Sequence, residues 1–113
     1  MSQTLSRTDV TSILSLWKVG SMTAVQVHDW ATDRFAVAAW DPEDGAVNEV
    51  LARLDMMDMN LVTVEDAEAL LTALDTKTAE AAAQLLDTHD ATVDLAARKL
   101  RLGHEPFYSQ FCK

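Results

Sequence analysis

The chain has 113 residues and a mass of 12.4 kDa, and its 18 acidic and 9 basic side chains give a formal net charge of −9. This length suits one compact domain and excludes a two-domain enzyme. Only 3 glycines and 2 prolines stand against 17 alanines and 14 leucines, which disfavours a turn-rich β fold. We therefore expect an all-α fold. Residues 1–113 are expected to form a single domain with an ordered core at about 8–102 and an aromatic C-terminal tail at 103–113.

Capping signals and apolar residues spaced three and four positions apart predict about five helices. Their expected ranges are about 9–18, 23–38, 42–58, 63–74 and 77–102. The C-terminal helix would be the longest, at about 39 Å for a rise of 1.5 Å per residue. Short connections between amphipathic helices predict a compact up-and-down bundle.

Two of these helices matter most for the functional hypotheses. Asp41 precedes Pro42, and a capping carboxylate before a proline indicates that the third helix begins at Pro42. In the last helix, apolar residues recur at helical spacing from Ala82 to Leu100, and Gly103 ends the pattern. The aromatic residues that follow Pro106 are expected to pack back against the bundle, and the alternative is an exposed tail that binds a partner.

The N-terminal sequence lacks the charged start and continuous apolar run of a secretory signal, which predicts a cytoplasmic protein. Charges interrupt every hydrophobic stretch before it reaches the roughly 20 residues that cross a bilayer, so we expect no membrane association. Cys112 is the only cysteine, and it therefore has no partner for an internal disulfide.

The negative charge is concentrated in the middle of the chain. Residues 41–97 carry fourteen carboxylates and only two basic side chains, Arg53 and Lys77. A surface of this sign repels phosphate backbones, which disfavours direct nucleic-acid binding. It favours a basic protein partner.

The first functional hypothesis is a small protein-binding module. Acidic side chains would steer the basic partner, and exposed apolar side chains would anchor it. The residues expected at this contact are Trp40, Asp41, Glu43, Asp44, Asp55, Met57, Asp58 and Met59. In size and charge the chain is similar to bacterial immunity or inhibitor proteins that neutralise basic nucleases, which implies electrostatic occlusion without a cofactor.

The second hypothesis rests on two carboxylate pairs, Glu65 with Glu68 and Asp87 with Asp90. Residues three apart share one helix face. The pattern resembles that of helical MazG-type nucleotide pyrophosphatases, Glu-x-x-Glu followed by Glu-x-x-Asp, over about residues 60–101, with Asp87 where the family has Glu. The resemblance implies that these four carboxylates hold Mg²⁺ and that Arg98, Lys99 or Arg101 meets phosphate. The alternative is a helix-dipole arrangement and a solvated face.

Two further readings remain. The His28-Asp29 and His89-Asp90 dipeptides resemble the metal-binding pair of HD phosphohydrolases, but the family's other ligands are absent. His89 is instead expected to be a half-buried residue that forms a hydrogen bond. The last possibility is a structural homodimer, joined through exposed methionines and the aromatic tail.

Overall fold

Residues 3–112, described by a computed structural model, contain seven α-helices and one short pair of parallel strands. In chain order the elements are β1 (Gln3–Leu5), α1 (Arg7–Lys18), α2 (Ala24–Thr32), β2 (Trp40–Pro42), α3 (Gly45–Asp55), α4 (Ala67–Leu74), α5 (Ala79–Asp90), α6 (Leu95–Leu102) and α7 (Pro106–Ser109). A single 3-10 turn, Val64–Asp66, leads into α4. The predominantly helical class expected from composition is confirmed.

The expectation of about five helices with the C-terminal one longest is wrong. The predicted helix at 77–102 is two helices, because α5 ends at Asp90 and α6 begins at Leu95. Asp94 accepts a hydrogen bond from the Ala97 amide at 3.0 Å. A short polar side chain that caps a new helix competes with continuation of the old one. Among residues 3–112 the longest helices are α1 and α5, with 12 residues each.

The predicted start of the third helix at Pro42 is also wrong, because Pro42 belongs to β2. The strands run parallel, with Trp40 opposite Gln3 and Pro42 opposite Leu5. Proline lacks an N–H group and is tolerated where a strand has an open edge. The α3 helix begins at Gly45 instead, after Asp44 accepts a hydrogen bond from the Val47 amide at 3.0 Å.

The hydrophobic core surrounds α3, which packs against both α2 and α5. Core residues come from every helix up to α5, and they include Val10, Leu14, Val27, Val50, Leu54, Leu70, Leu74 and Leu86. A second, smaller cluster joins the C-terminal helices to the body through Leu61, Leu102 and Tyr108. The Tyr108 hydroxyl donates to the Val62 carbonyl at 2.6 Å, and burial raises the pKa of this phenol. The aromatic tail thus packs against the body of the molecule.

Gly45, at the start of α3, lies close against Ala79 at the start of α5, and replacing it with alanine is expected to destabilise the fold. A Cβ atom at this position would lie 2.6 Å from the backbone nitrogen of Ala79. Overpacking of this kind costs about 1–3 kcal/mol, although alanine is otherwise favoured over glycine in helices by about 1 kcal/mol. Urea unfolding of Gly45→Ala measures the effect, with Asn48→Ala at an exposed position of α3 as the control. A Gly45→Ala midpoint at or above that of the wild type would contradict the close approach.

Candidate functional site

The four carboxylates predicted as Mg²⁺ ligands do not come together. Glu65 pairs with Arg101 at 2.6 Å, and Glu68 pairs with Lys18. Asp87 and Asp90 both bind Arg53, at 2.9 and 2.6 Å. Across residues 3–112, no group of three or more Asp, Glu, His or Cys side chains has an arrangement suited to a metal ion. The facing carboxylates that the pyrophosphatase resemblance implies are therefore not formed, because the two pairs bind different basic side chains.

The acidic residues predicted at the partner contact are divided between distant places. Glu43 and Asp44 lie at the N-terminal end of α3, where both bind the Arg7 guanidinium. The Glu43 carboxylate is 2.8 Å from it, and the same Arg7 donates through Nε to the Leu74 carbonyl at 2.8 Å. These two carboxylates hold the start of α1 to the body. Asp41 lies beside them in β2.

Asp55 and Asp58 lie at the opposite end of α3, about 16 Å away along a helix of 11 residues. Here they surround His28 of α2. His28 donates through Nε2 to the Asp55 carbonyl at 2.9 Å, and the same nitrogen is 3.8 Å from the Asp58 carboxylate. Thr32 donates to the Asp55 carboxylate at 3.1 Å. The predicted residues therefore do not form one continuous acidic surface.

The three clustered methionines differ sharply in exposure. Met57 has no exposed surface, whereas Met56 is 42% exposed and Met59 is 48% exposed. Met57 is part of the core cluster, so its assignment to the partner contact is wrong. The three methionines follow the end of α3 in a turn, and of the three only Met57 points into the core. Met59 remains available on the surface.

A groove of about 640 Å³ opens beside α3, bounded by α6 and by the segment from Met56 to Val62. We call it the Met56–Phe111 groove, after two of the apolar side chains that line it. Met59 and Leu95 also line it, and Leu95 is 52% exposed. Its volume lies in the range of about 300–1,000 Å³ that is typical of ligand-binding clefts.

A buried ion pair between Arg98 and Asp66 forms the floor of this groove. The guanidinium donates to both carboxylate oxygens, at 2.7 and 2.9 Å, and to the Leu61 carbonyl at 3.1 Å. His89 donates through Nε2 to Asp66 at 2.7 Å, and the Thr63 amide donates at 2.9 Å. The expectation that His89 is a half-buried hydrogen-bonding residue is confirmed. Every oxygen of the buried carboxylate has a donor, as a charge removed from water requires.

These contacts change the pKa values of both partners in the floor of the groove. Burial opposes the charged form of Asp66, but hydrogen bonds from Arg98, His89 and the Thr63 amide outweigh it and lower the pKa. The hydrogen bond to Asp66 raises the pKa of Arg98. Arg98 is only 8% exposed, so it is committed to Asp66 and is not positioned to meet a phosphate.

The wall of the groove formed by α3 and α5 carries excess negative charge. Arg53 faces three carboxylates, Glu49 at 3.4 Å together with Asp87 and Asp90. Burial lowers the pKa of Arg53, but hydrogen bonds to Asp87 and Asp90 raise it by more. Within this cluster, which we call the Arg53 cluster, two negative charges have no cation of their own. Lys99 lies on the opposite side of the groove, on α6.

No family model, curated protein or solved structure matches this chain. In the part of the chain that the structure describes, no helix combines the length and apolar content needed to cross a bilayer.

Several residues of the groove were missed by the sequence analysis. Leu95 was not identified, because it was assigned to the interior of a continuous helix. Arg53 was treated only as an isolated base in an acidic region. The available signal was Asp94, since recognising it as a helix cap would have separated α6 from α5 and shown that Leu95 starts a new helix.

Proposed function

We propose that this chain is a protein-binding module whose Met56–Phe111 groove receives a basic, amphipathic helical segment of another protein. The observation that carries the proposal is a concave surface with two exposed methionines beside an acidic cluster. Methionine side chains are flexible and polarisable, and they are common where a protein accommodates an apolar helix face. The exposed side chains of Met56, Met59 and Leu95 offer such a face apolar surface to bury in the groove.

Charge decides which kind of helix fits. The Arg53 cluster carries two more negative than positive charges, and the whole chain has a net charge of −9. Lysine or arginine residues flanking the apolar face of a bound helix would compensate this excess and speed the encounter. An acidic helix would meet repulsion from the same wall.

This proposal keeps the basic partner of the first hypothesis but changes the contact surface. Of the eight residues predicted there, only Met59 lines the groove. A cytoplasmic role of the immunity or inhibitor type, without a cofactor, stays part of the proposal because it rests on small size and net charge. The homodimer is the competing occupant of the groove, with a second copy in place of the basic helix.

A direct test uses a leucine–lysine amphipathic peptide of about 14 residues, roughly four helical turns, and the chain labelled with ¹³C at its methionine methyl groups. We expect the Met56 and Met59 signals to shift in proportion to bound peptide while the buried Met57 signal stays in place. Added salt should weaken the binding, because the attraction between exposed charges is screened. The matched peptide with glutamate in place of lysine should bind at least about tenfold more weakly.

A pair of variants separates the groove from general surface effects. Met59→Ser should weaken peptide binding about tenfold, as expected for loss of a central apolar contact. Val19→Ser should leave it unchanged, since Val19 is 74% exposed and lies at the end of α1. Equal binding of the two peptides would overturn the proposal. So would shifts of Met56 and Met59 that depend on the concentration of the chain alone, because these would indicate a second copy in the groove.

A further inference from the structure

A second cleft lies away from the groove, where α1, α2 and β2 meet. It has a volume of about 240 Å³ and is lined by Asp9, Ser12, Ile13, Trp30, Arg34 and Trp40. Both tryptophans are half-buried, so part of each indole reaches the cleft. None of the functional hypotheses considered above uses this combination of side chains as a site.

A cation already occupies the aromatic part of this cleft. The guanidinium carbon of Arg34 lies 4.4 Å from the centroid of Trp30 and 5.0 Å from that of Trp40. Both distances are within the roughly 6 Å over which the negative face of an aromatic ring attracts a positive charge. Arg34 also donates through Nη1 to the Trp30 carbonyl at 3.0 Å. Two indole rings therefore share one positive charge.

An acidic side chain adds to this preference for cations. Asp9 lines the same cleft, and its Oδ2 accepts a hydrogen bond from the Ser6 amide at 3.1 Å. That contact belongs to the capping box of α1 and holds the carboxylate in place. Two tryptophans and one carboxylate are the components of the aromatic cages that recognise alkylated ammonium groups.

We propose that this cleft binds an alkylated ammonium group, which displaces the side chain of Arg34 from the two indole rings. Ring faces attract positive charge but accept hydrogen bonds poorly. A guanidinium brings five N–H donors, and in this cleft the described hydrogen bond of Arg34 uses one nitrogen. An ammonium whose protons are replaced by methyl groups has fewer hydrogen bonds to lose on leaving water. It therefore suits this site better than the arginine that occupies it.

The indole N–H signals of the three tryptophans provide the test, with trimethyllysine, choline and unmodified lysine as probes. We expect trimethyllysine or choline to shift the Trp30 and Trp40 signals saturably. The signal of Trp17, which is 4% exposed, should stay in place. Lysine should bind at least about tenfold more weakly, because its ammonium keeps its hydrogen-bonded water.

Variants of Arg34 and Trp40 test the displacement itself. Arg34→Ala should bind the methylated probes about tenfold more tightly than the wild type, because the internal competitor is gone. Arg34→Gln keeps a polar side chain but removes the positive charge, and it should also bind the methylated probes more tightly. It replaces Arg34→Ala in the experiment if the alanine variant unfolds. Trp40→Leu should abolish binding in either background while circular dichroism shows an intact helical fold.

Three results would overturn the proposal. The first is that neither Arg34 variant shows a saturable shift of the Trp30 and Trp40 signals. The second is equal binding of lysine and trimethyllysine, and the third is binding that persists in Trp40→Leu. The relative affinity of the two methylated probes identifies the source of the ligand. Tighter binding of trimethyllysine than of choline supports a modified protein, and the reverse order supports a small molecule.

Discussion

Replacement of Arg98 by methionine is expected to lower the free energy of unfolding by about 3–5 kcal/mol, the usual cost of breaking a buried ion pair from one side. Asp66 is 5% exposed and would lose two of its hydrogen bonds. The Leu61 carbonyl would lose its donor as well. Urea unfolding at neutral pH measures the loss.

The exposed ion pair on the same helix is the matched control. Arg101 contacts Glu65 at 2.6 Å, but both side chains are more than half exposed. Arg101→Met should therefore cost less than about 1 kcal/mol. The double variant Asp66→Asn with Arg98→Met should recover part of the loss, because it leaves no unpaired charge in the interior. Similar losses in the free energy of unfolding for Arg98→Met and Arg101→Met would show that the buried ion pair contributes no more to stability than the exposed one.

Acid titration of stability gives an independent measure of the same pair. Because the pKa of Asp66 is lowered in the folded chain, its contribution is present above the unfolded value of about 3.9. That contribution is lost as the pH falls through the folded value. In Arg98→Met the folded pKa of Asp66 should rise, so the acid-induced loss of stability that comes from this group should shrink. An unchanged pH dependence would contradict this assignment.

The second large effect is expected at Met57. Its side chain has no exposed surface, and truncation of a buried methionine to alanine costs about 2–5 kcal/mol. Met59→Ala, two positions further along the chain and 48% exposed, should change the free energy of unfolding by less than about 0.5 kcal/mol. Chemical denaturation of the two variants side by side measures the difference.

The order of the two effects should be reversed for peptide binding, where Met59 should matter and Met57 should not. Met59→Ala should weaken the leucine–lysine peptide and leave the fold intact. Met57→Ala, studied at a temperature where it remains folded, should bind the peptide with nearly the affinity of the wild type. Equal stability losses in the two variants would show that the core does not distinguish the two side chains.

Local chemistry explains why some elements were predicted well. Thr23 and Gln26 form the reciprocal hydrogen bonds of a capping box, at 3.2 and 2.9 Å, and they start α2 as the sequence predicts. The first helix ends at Lys18 as predicted. These signals act within one helical turn, and they are therefore visible in a short stretch of sequence.

Other boundaries were wrong because distant residues compete with local preference. The start of α3 at Gly45 depends on pairing of β2 with β1, which lies more than thirty residues earlier. The break between α5 and α6 interrupts an apolar pattern that by itself continues through it. The break occurs where Asp94 caps α6 and where Arg98 is buried against Asp66. The contact between Arg98 and Asp66 joins distant parts of the chain, so the spacing of apolar residues along one helix does not predict it.

The same division applies to the candidate sites. Composition alone predicts the helical class and the negative charge. Helix propensity and net charge are both summed over residues, and neither sum depends on how the chain folds. The partners of the charged residues depend on the fold, since Arg53 meets Asp87 and Arg98 meets Asp66 across more than thirty positions. Burial likewise separates Met57 from its exposed neighbours, because a densely packed core admits only the side chain that points toward it.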